Sequence, residues 1–88
     1  MKEKEYEKTL KALANRRRLQ IIKYIKSKKT ATVTAISEHL KLSFKSTSKH
    51  LAILFSAGIL DKEQKSLSMF YSVAEPLPKI AKHVFNLI

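Results

Sequence analysis

Apolar residues recur at helical spacing in five segments of the chain, and each segment is predicted to be an amphipathic helix. The central helix begins after Ser43, a good N-cap, and ends before Gly58, which suits a left-handed exit. Its buried stripe is Thr47, Leu51 and Leu54. The other helices are predicted over residues 2–14, 16–28, 33–40 and 78–88, with the stripes Tyr6/Leu10/Leu13, Leu19/Ile22/Ile25, Val33/Ile36/Leu40 and Ile80/Val84/Leu87.

A change to period two after Gly58 predicts a pair of short strands. Met69, Tyr71 and Val73 alternate with Ser68, Phe70 and Ser72, and residues 59–63 supply the partner strand. Residues 64–67 are then the hairpin loop. Residues 30–32 are predicted to be a loop that ends in a helix cap at Thr32. The predicted fold class is mainly α with a small β-hairpin, in one domain over residues 1–88.

The net charge of the chain indicates that this helical domain binds an acidic partner. The 88 residues contain 18 Lys plus Arg against 7 Asp plus Glu, a formal charge of +11. Nucleic acid is the most common partner of such a basic domain, and an anionic membrane surface is the alternative. The membrane alternative is weaker, because the cations are spread over all the helices and are not gathered on one amphipathic helix.

Several other classes of function find little support in the composition. The chain has no cysteine, and His39, His50 and His83 are scattered, so neither a metal site nor a cofactor is expected. No apolar run is long enough to cross a bilayer. The first eight residues are charged and lack the apolar core of a signal peptide, which favours a cytoplasmic location.

Catalysis is not expected either. Ser46 and His50 are one helical turn apart, yet a nucleophile needs an oriented base and a third group to hold that base. No carboxylate lies near them in the sequence. We therefore expect that the protein is not an enzyme, and that His50 flanks the core or bonds a backbone group. Phe44 and Phe55 beside the stripe are expected to pack.

Two helices joined by a short turn, the second with a polar outer face, form the pattern of a helix-turn-helix. Together with the hairpin, the chain resembles the ArsR/SmtB type of winged helix-turn-helix regulator over roughly residues 9–74. Three stretches carry this resemblance, namely LKALANRRRLQI at 10–21, LSFKSTSKHLAIL at 42–54 and AGIL at 57–60.

The resemblance implies a homodimeric transcriptional regulator that binds double-stranded DNA. It implies that the first and last helices form the dimer interface, that the fourth helix enters the major groove, and that the wing lies beside it. The sequence departs from the family in four places. The third helix lacks the cysteines of metal-sensing members, the last helix offers only His83 for the family's other metal site, Phe44 and Lys45 replace a common Gln-Pro, and the wing tip is less basic.

These arguments give a set of candidate residues for each contact. The expected DNA contacts are Ser43, Lys45, Ser46, Ser48, Lys49 and, in the wing, Lys65. Three arginines crowd the start of the second helix, where the helix dipole disfavours cations. Arg16 and Arg17 are therefore candidates for phosphate contacts, although a solvated basic turn explains them equally well. The expected dimer interface is Tyr6, Leu10, Leu13, Ile80, Val84 and Leu87.

Two functions remain open at this point. One is a dimeric, sequence-specific DNA-binding regulator, a repressor by resemblance, without a metal-sensing site. The other is a winged-helix module that binds protein within a larger nucleoprotein assembly. The salt dependence of duplex binding separates the two, because contacts to phosphates release counterions.

Overall fold

A computed structural model describes residues 2–88, and its architecture is the predicted winged helix-turn-helix. The elements in chain order are α1 (Lys2–Leu13), α2 (Arg16–Lys28), β1 (Thr30–Thr32), α3 (Val33–Leu40), α4 (Phe44–Ser56), β2 (Leu60–Lys65), β3 (Ser68–Val73) and α5 (Lys79–Leu87). Within residues 2–88, no helix has both the length and the apolar character needed to span a lipid bilayer.

Three helices begin after a residue whose side-chain oxygen accepts the backbone N–H three positions later, as the sequence predicted for Ser43 and Thr32. Such a bond satisfies one of the N–H groups that a helix leaves unpaired at its start. The three bonds run to Asn15 from Arg18 (3.1 Å), to Thr32 from Ala35 (3.2 Å) and to Ser43 from Ser46 (3.0 Å). Local chemistry therefore fixes where α2, α3 and α4 begin.

The end of α4 is also defined by local backbone geometry and hydrogen bonds. Gly58 has a positive φ of 75°, as predicted for a left-handed exit. Its N–H donates to the carbonyl of Phe55 and the N–H of Ile59 donates to that of Leu54, both at 3.0 Å. This pair of bonds is the Schellman arrangement, and it directs the chain from α4 straight into β2.

The prediction of a loop over residues 30–32 was wrong, because these residues form β1. β1 pairs antiparallel with β3, with Ala31 opposite Tyr71, and the strand order of the sheet is β1-β3-β2. A three-residue segment carries too little pattern to predict a strand. Its strand conformation comes from a partner about forty residues further along the chain.

The predicted hairpin loop over residues 64–67 was too long. Gln64 pairs with Met69 and Lys65 pairs with Ser68, so the loop consists of Ser66 and Leu67 alone. Ser66 adopts a φ of 58°, which a two-residue hairpin turn requires at its first position but which a serine rarely takes. The missing Asn-Gly or Asp-Gly signal explains why the sequence did not indicate a tight turn.

The core lies around α2, which packs against α1, α3, α4, β1 and β3. The predicted α4 stripe of Thr47, Leu51 and Leu54 is completely buried. On α2 the centre of the buried face is Ile21, Ile22 and Ile25, whereas Leu19 is only partly buried at its edge. The buried stripe of α4 therefore packs into the core beside the isoleucine face of α2, and this fixes the face that α4 turns outward.

The two terminal helices pack against each other along one side of the domain. Leu10 is 51% exposed and Leu87 is 84% exposed, and Tyr6 is also exposed. Ile80 and Val84 are partly buried against the core. Leu13, in contrast, is buried within its own chain, so its assignment to a subunit interface must be corrected.

Candidate nucleic-acid interface

The outer face of α4 is basic and free of carboxylates. Lys45 and Lys49 are one turn apart, so they share a face, and both are exposed. α4 contains no acidic residue. Among residues 2–88, the ion pairs are Lys11–Glu7 and Lys65–Glu63, so neither lysine of α4 is neutralised by a carboxylate.

The hydroxyls predicted to accompany these lysines are less uniformly placed. Ser46 and Ser48 are partly buried and flank the lysine face on opposite sides of the helix. Ser43 is exposed, and its hydroxyl caps α4 through the N–H of Ser46. The structure thus brings the two lysines to one strip of surface, with the three serines at its edges and at its start.

Arg18 explains part of the unusual basic turn at the start of α2. Its guanidinium donates to the carbonyl of Ala12 from Nε at 2.6 Å and to the carbonyl of Lys11 from Nη2 at 3.1 Å. Both carbonyls belong to the last turn of α1, which has no partners of its own for them. The constraint on Arg18 is therefore the C-terminus of a neighbouring helix, and not a phosphate or a carboxylate.

Arg16 and Arg17 remain on the surface beside this contact. Both are exposed, and Arg17 Nη1 donates to the side chain of Gln20 at 3.3 Å. Because Arg18 reaches His50 on α4, the first turn of α2 lies next to the middle of α4. The turn that carries the two arginines therefore borders α4.

His50 was expected to flank the core or bond a backbone group, and the structure gives it a side-chain partner. Its Nδ1 lies 3.3 Å from Nη1 of Arg18, which accepts nothing and so must donate. Burial lowers the pKa of His50 below its ordinary value, and the charges of Arg18 and Arg17 lower it further. A neutral ring with its Nδ1 lone pair facing Arg18 fits this contact.

Each of the two lysines in the wing contacts a nearby side chain. Lys65 lies 3.9 Å from Glu63, and both side chains are mostly exposed. Lys62, which the sequence reasoning overlooked, sits 4.3 Å above the ring of Phe55 at the end of α4. Nothing in the sequence marks Lys62 apart from its charge, because its contact depends on how β2 leaves α4.

Three large apolar residues of α4 and the wing are exposed. Phe44 at the start of α4 is 59% exposed and Leu67 at the wing tip is 98% exposed. Phe55 is also exposed, but its ring lies beneath Lys62. The expectation of packing was therefore wrong for Phe44, whereas Phe55 packs against a lysine and not into the core.

The chemistry available at this surface is recognition of an anion. Within residues 2–88, no group of three His, Cys, Asp or Glu side chains is placed to hold a metal ion. The ring nitrogen Nδ1 of His50 faces a guanidinium and not a hydroxyl. Exposed lysines, arginines and hydroxyls on and beside one helix are the groups that contact phosphates and base edges.

Comparison with solved structures gives close matches over nearly the whole chain. Reduced HlyU from Vibrio cholerae N16961 has a TM-score of 0.82 and 29% identity, covering 98% of this chain and 86% of HlyU. The transcriptional repressor PagR of Bacillus anthracis has a TM-score of 0.83 and 27% identity, covering 100% and 98%. The homodimeric winged helix-turn-helix DNA-binding domain Mb0332 from Mycobacterium bovis has a TM-score of 0.81 and 26% identity, covering 96% and 74%.

Sequence comparison agrees with these structures. No curated protein matches the chain by sequence. The family model of the bacterial regulatory proteins of the arsR family, however, matches residues 15–62, which contain α2, the helix-turn-helix and the start of the wing. This family consists of DNA-binding transcriptional regulators and not of enzymes. The chain therefore belongs to the arsR family of bacterial regulatory proteins.

Proposed function

We propose that the protein is a dimeric, sequence-specific DNA-binding repressor that acts in the cytoplasm and does not sense metal. The observation that carries this proposal is the outer face of α4. That face has two exposed lysines and no carboxylate, and a completely buried stripe holds it outward. A helix with a fixed and cationic outer face can lie in the major groove of B-DNA, which admits an α-helix.

Each part of the basic surface receives a role in this proposal. Lys45 and Lys49 contact phosphates or guanine, and the hydroxyls of Ser43, Ser46 and Ser48 contact base edges or phosphates. Arg16 and Arg17 contact the backbone beside α4. Lys65 contributes less, because Glu63 lies 3.9 Å from its ammonium group. Phosphate contacts position the helix, while base contacts provide sequence specificity.

The proposed dimer uses the terminal helices of the single domain as its interface. Tyr6, Leu10 and Leu87 leave apolar surface exposed on α1 and α5, and Ile80 and Val84 lie beside them. A two-fold dimer buries the same patch twice, and the description of Mb0332 as homodimeric supports a dimer for this chain. Sedimentation should give a dimer at micromolar concentration.

A matched pair of substitutions tests the dimer. Leu10→Glu should produce a monomer, because it places a charge in the apolar patch, whereas Leu67→Glu at the wing tip should leave the dimer intact. A folded monomer in the unchanged protein, or equal effects of both substitutions, would remove the terminal helices from the proposal.

Metal independence is proposed from the ligands that the chain offers. The sequence has no cysteine, and residues 2–88 contain no group of three potential ligands. The name of PagR as a repressor supports the direction of regulation. We expect micromolar zinc to leave duplex affinity unchanged, and a zinc-dependent change in affinity would contradict this part of the proposal.

The decisive experiment measures duplex binding as a function of salt. The cognate site is first selected from random duplex DNA. Lys45→Ala/Lys49→Ala should then weaken binding and lower the salt slope by about two units, since each lysine that neutralises a phosphate adds about one unit. The control Lys23→Ala/Lys79→Ala removes the same charge from exposed positions on α2 and α5 and should change neither quantity.

A second function has one observation in its favour. Phe44 on α4 and Leu67 at the wing tip expose large apolar side chains, as a protein-binding module would. If the lysine pair on α4 can be removed without any loss of duplex affinity at moderate salt, the regulator proposal fails and the protein-binding module is favoured.

A further inference from the structure

A cavity of about 950 Å³ lies where β3 ends and the chain turns into α5. Its walls come from the end of α2, the end of β3, the segment that links β3 to α5, and α5 itself. Ile25, Val73, Leu77 and Phe85 give it an apolar lining. This volume is at the upper end of the range of about 300–1,000 Å³ that is usual for pockets that bind small molecules.

Three lysines and one carboxylate complete the wall. Lys26 and Lys29 reach the cavity from α2 and its exit, Lys82 reaches it from α5, and Glu75 is the acidic member. Within residues 2–88, none of these lysines forms an ion pair. The cavity therefore combines an apolar lining with an excess of two positive charges that no carboxylate neutralises.

Lys26 shows how an ammonium group is held at this site. Its Nζ donates to the carbonyl of Phe85 at 2.8 Å and lies 4.6 Å from the centre of the Phe85 ring. An ammonium group has three donors, so two remain for a ligand. Because this bond joins α2 to α5, the ammonium group stays at the cavity wall and cannot swing into solvent.

We propose that this cavity binds a small organic anion that has an acidic head group and an apolar body. The apolar body lies against Val73, Leu77 and Phe85, and the head group, a carboxylate, is held by Lys29, Lys82 and the free donors of Lys26. A charged acceptor bound by several ammonium donors is stabilised more than a neutral one. The proposal adds a ligand site to the DNA-binding function and does not depend on it.

The position of the cavity separates it from the two surfaces already described. Lys82, Phe85 and Asn86 share one face of α5, because they are three and four residues apart. Ile80, Val84 and Leu87, the stripe proposed for the dimer, share another face. The outer face of α4 contributes nothing to the cavity lining, so a bound anion and a DNA duplex do not compete for the same residues.

The test uses the full chain with decanoate as the probe, acetate as a head group without a body, and decanol as a body without a charge. Decanoate should bind and shift the backbone amide resonances of Val73, Leu77 and Phe85. Acetate should not bind, and decanol should bind at least about tenfold more weakly, since it cannot form charge-assisted hydrogen bonds with the lysines. Decanol binding as tightly as decanoate, or shifts on α1 in place of the cavity, would overturn the proposal.

Two double variants with equal net charge separate the cavity from general attraction to a basic protein. Lys29→Gln/Lys82→Gln should weaken decanoate binding by at least about tenfold, because it removes two of the three ammonium groups. Lys23→Gln/Lys79→Gln should leave it unchanged. Lys26 is retained because its bond holds α5, and thermal melting checks that both variants fold. Equal losses in the two variants, or no binding of decanoate at millimolar concentration, would refute the site.

Discussion

Helix α4 and the wing formed by β2 and β3 are in contact with each other but are held in different ways. α4 has an N-cap at Ser43, a left-handed exit at Gly58 and a buried stripe between them. β2, in contrast, has a single buried residue, Leu60, and every position after it is exposed. β2 holds its place through the pairing with β3 and through little else.

The two regions also differ in charge, since α4 is basic and β2 carries both signs. Lys45 and Lys49 on α4 have no acidic neighbour in their helix, whereas Asp61 and Glu63 alternate with Lys62 and Lys65 in β2. β2 is therefore neutral in sum. A rigid helix with unpaired cations is suited to specific contacts, and a neutral wing that is anchored at one end is suited to a supporting one.

The largest expected effect concerns the anchoring of the two regions. Leu51→Ala should destabilise the fold by about 2–5 kcal/mol, because it opens a cavity under α4 where the side chain is completely buried. Leu67→Ala at the wing tip should change stability by less than about 0.5 kcal/mol, because that side chain is 98% exposed. Urea denaturation measures both. Similar values for the two leucines would mean that α4 is not anchored through this stripe.

A substitution on α4 should also weaken DNA binding more than a substitution in the wing, with smaller free-energy changes than those expected for stability. Lys49→Ala should cost about 1–3 kcal/mol, confined to the cognate site, if Lys49 contacts guanine. If it contacts a phosphate, the loss is similar on all sequences and the salt slope falls by about one unit. Lys65→Ala should cost less in either case, because Glu63 lies beside it. Fluorescence anisotropy with cognate and random duplexes distinguishes these outcomes, and a larger loss for Lys65 would reverse the roles of helix and wing.

The ends of the two regions offer a third contrast. Ser43→Ala removes the cap of α4 and should destabilise the fold by about 1 kcal/mol. Ser66→Gly should instead raise stability slightly, because a left-handed serine costs about 1–2 kcal/mol, of which the flexibility of glycine in the unfolded chain offsets about 0.5–1 kcal/mol. Thermal melts of the two variants should therefore shift in opposite directions.

The same contrast explains what the sequence could predict. The bounds of α4, its caps and its buried stripe follow from neighbours within one helix, and all were predicted. β1 was not predicted, because its strand depends on β3 far along the chain. The contact of Lys62 with Phe55 and the bonds of Arg18 to α1 were also missed, since long side chains reach partners that only the packing brings close.

The smallest expected effect concerns the contact between Arg18 and His50, which ties α4 to the end of α1. Burial, then Arg18 and Arg17, lowers the pKa of His50 below its ordinary value of 6.5. As the pH falls through 6.5, the unfolded chain takes up a proton at this position before the folded chain does. The stability that neutral His50 contributes is therefore complete above 6.5 and is lost as the pH falls through the folded pKa. His50→Gln, which keeps an acceptor for Arg18, should remove this part of the pH dependence.

An NMR titration of the His50 ring measures the same contact directly. The midpoint should lie below 6.5 in the unchanged protein, rise most in Arg18→Gln and rise less in Arg17→Gln, following the order of the two charges. Arg16→Gln is the matched control and should leave the midpoint where it is. A midpoint at or above 6.5 in the unchanged protein would mean that the guanidinium of Arg18 does not face His50 in solution. Arg18 would then not tie α1 to α4, and the buried stripe and the caps would carry more of the anchoring of α4.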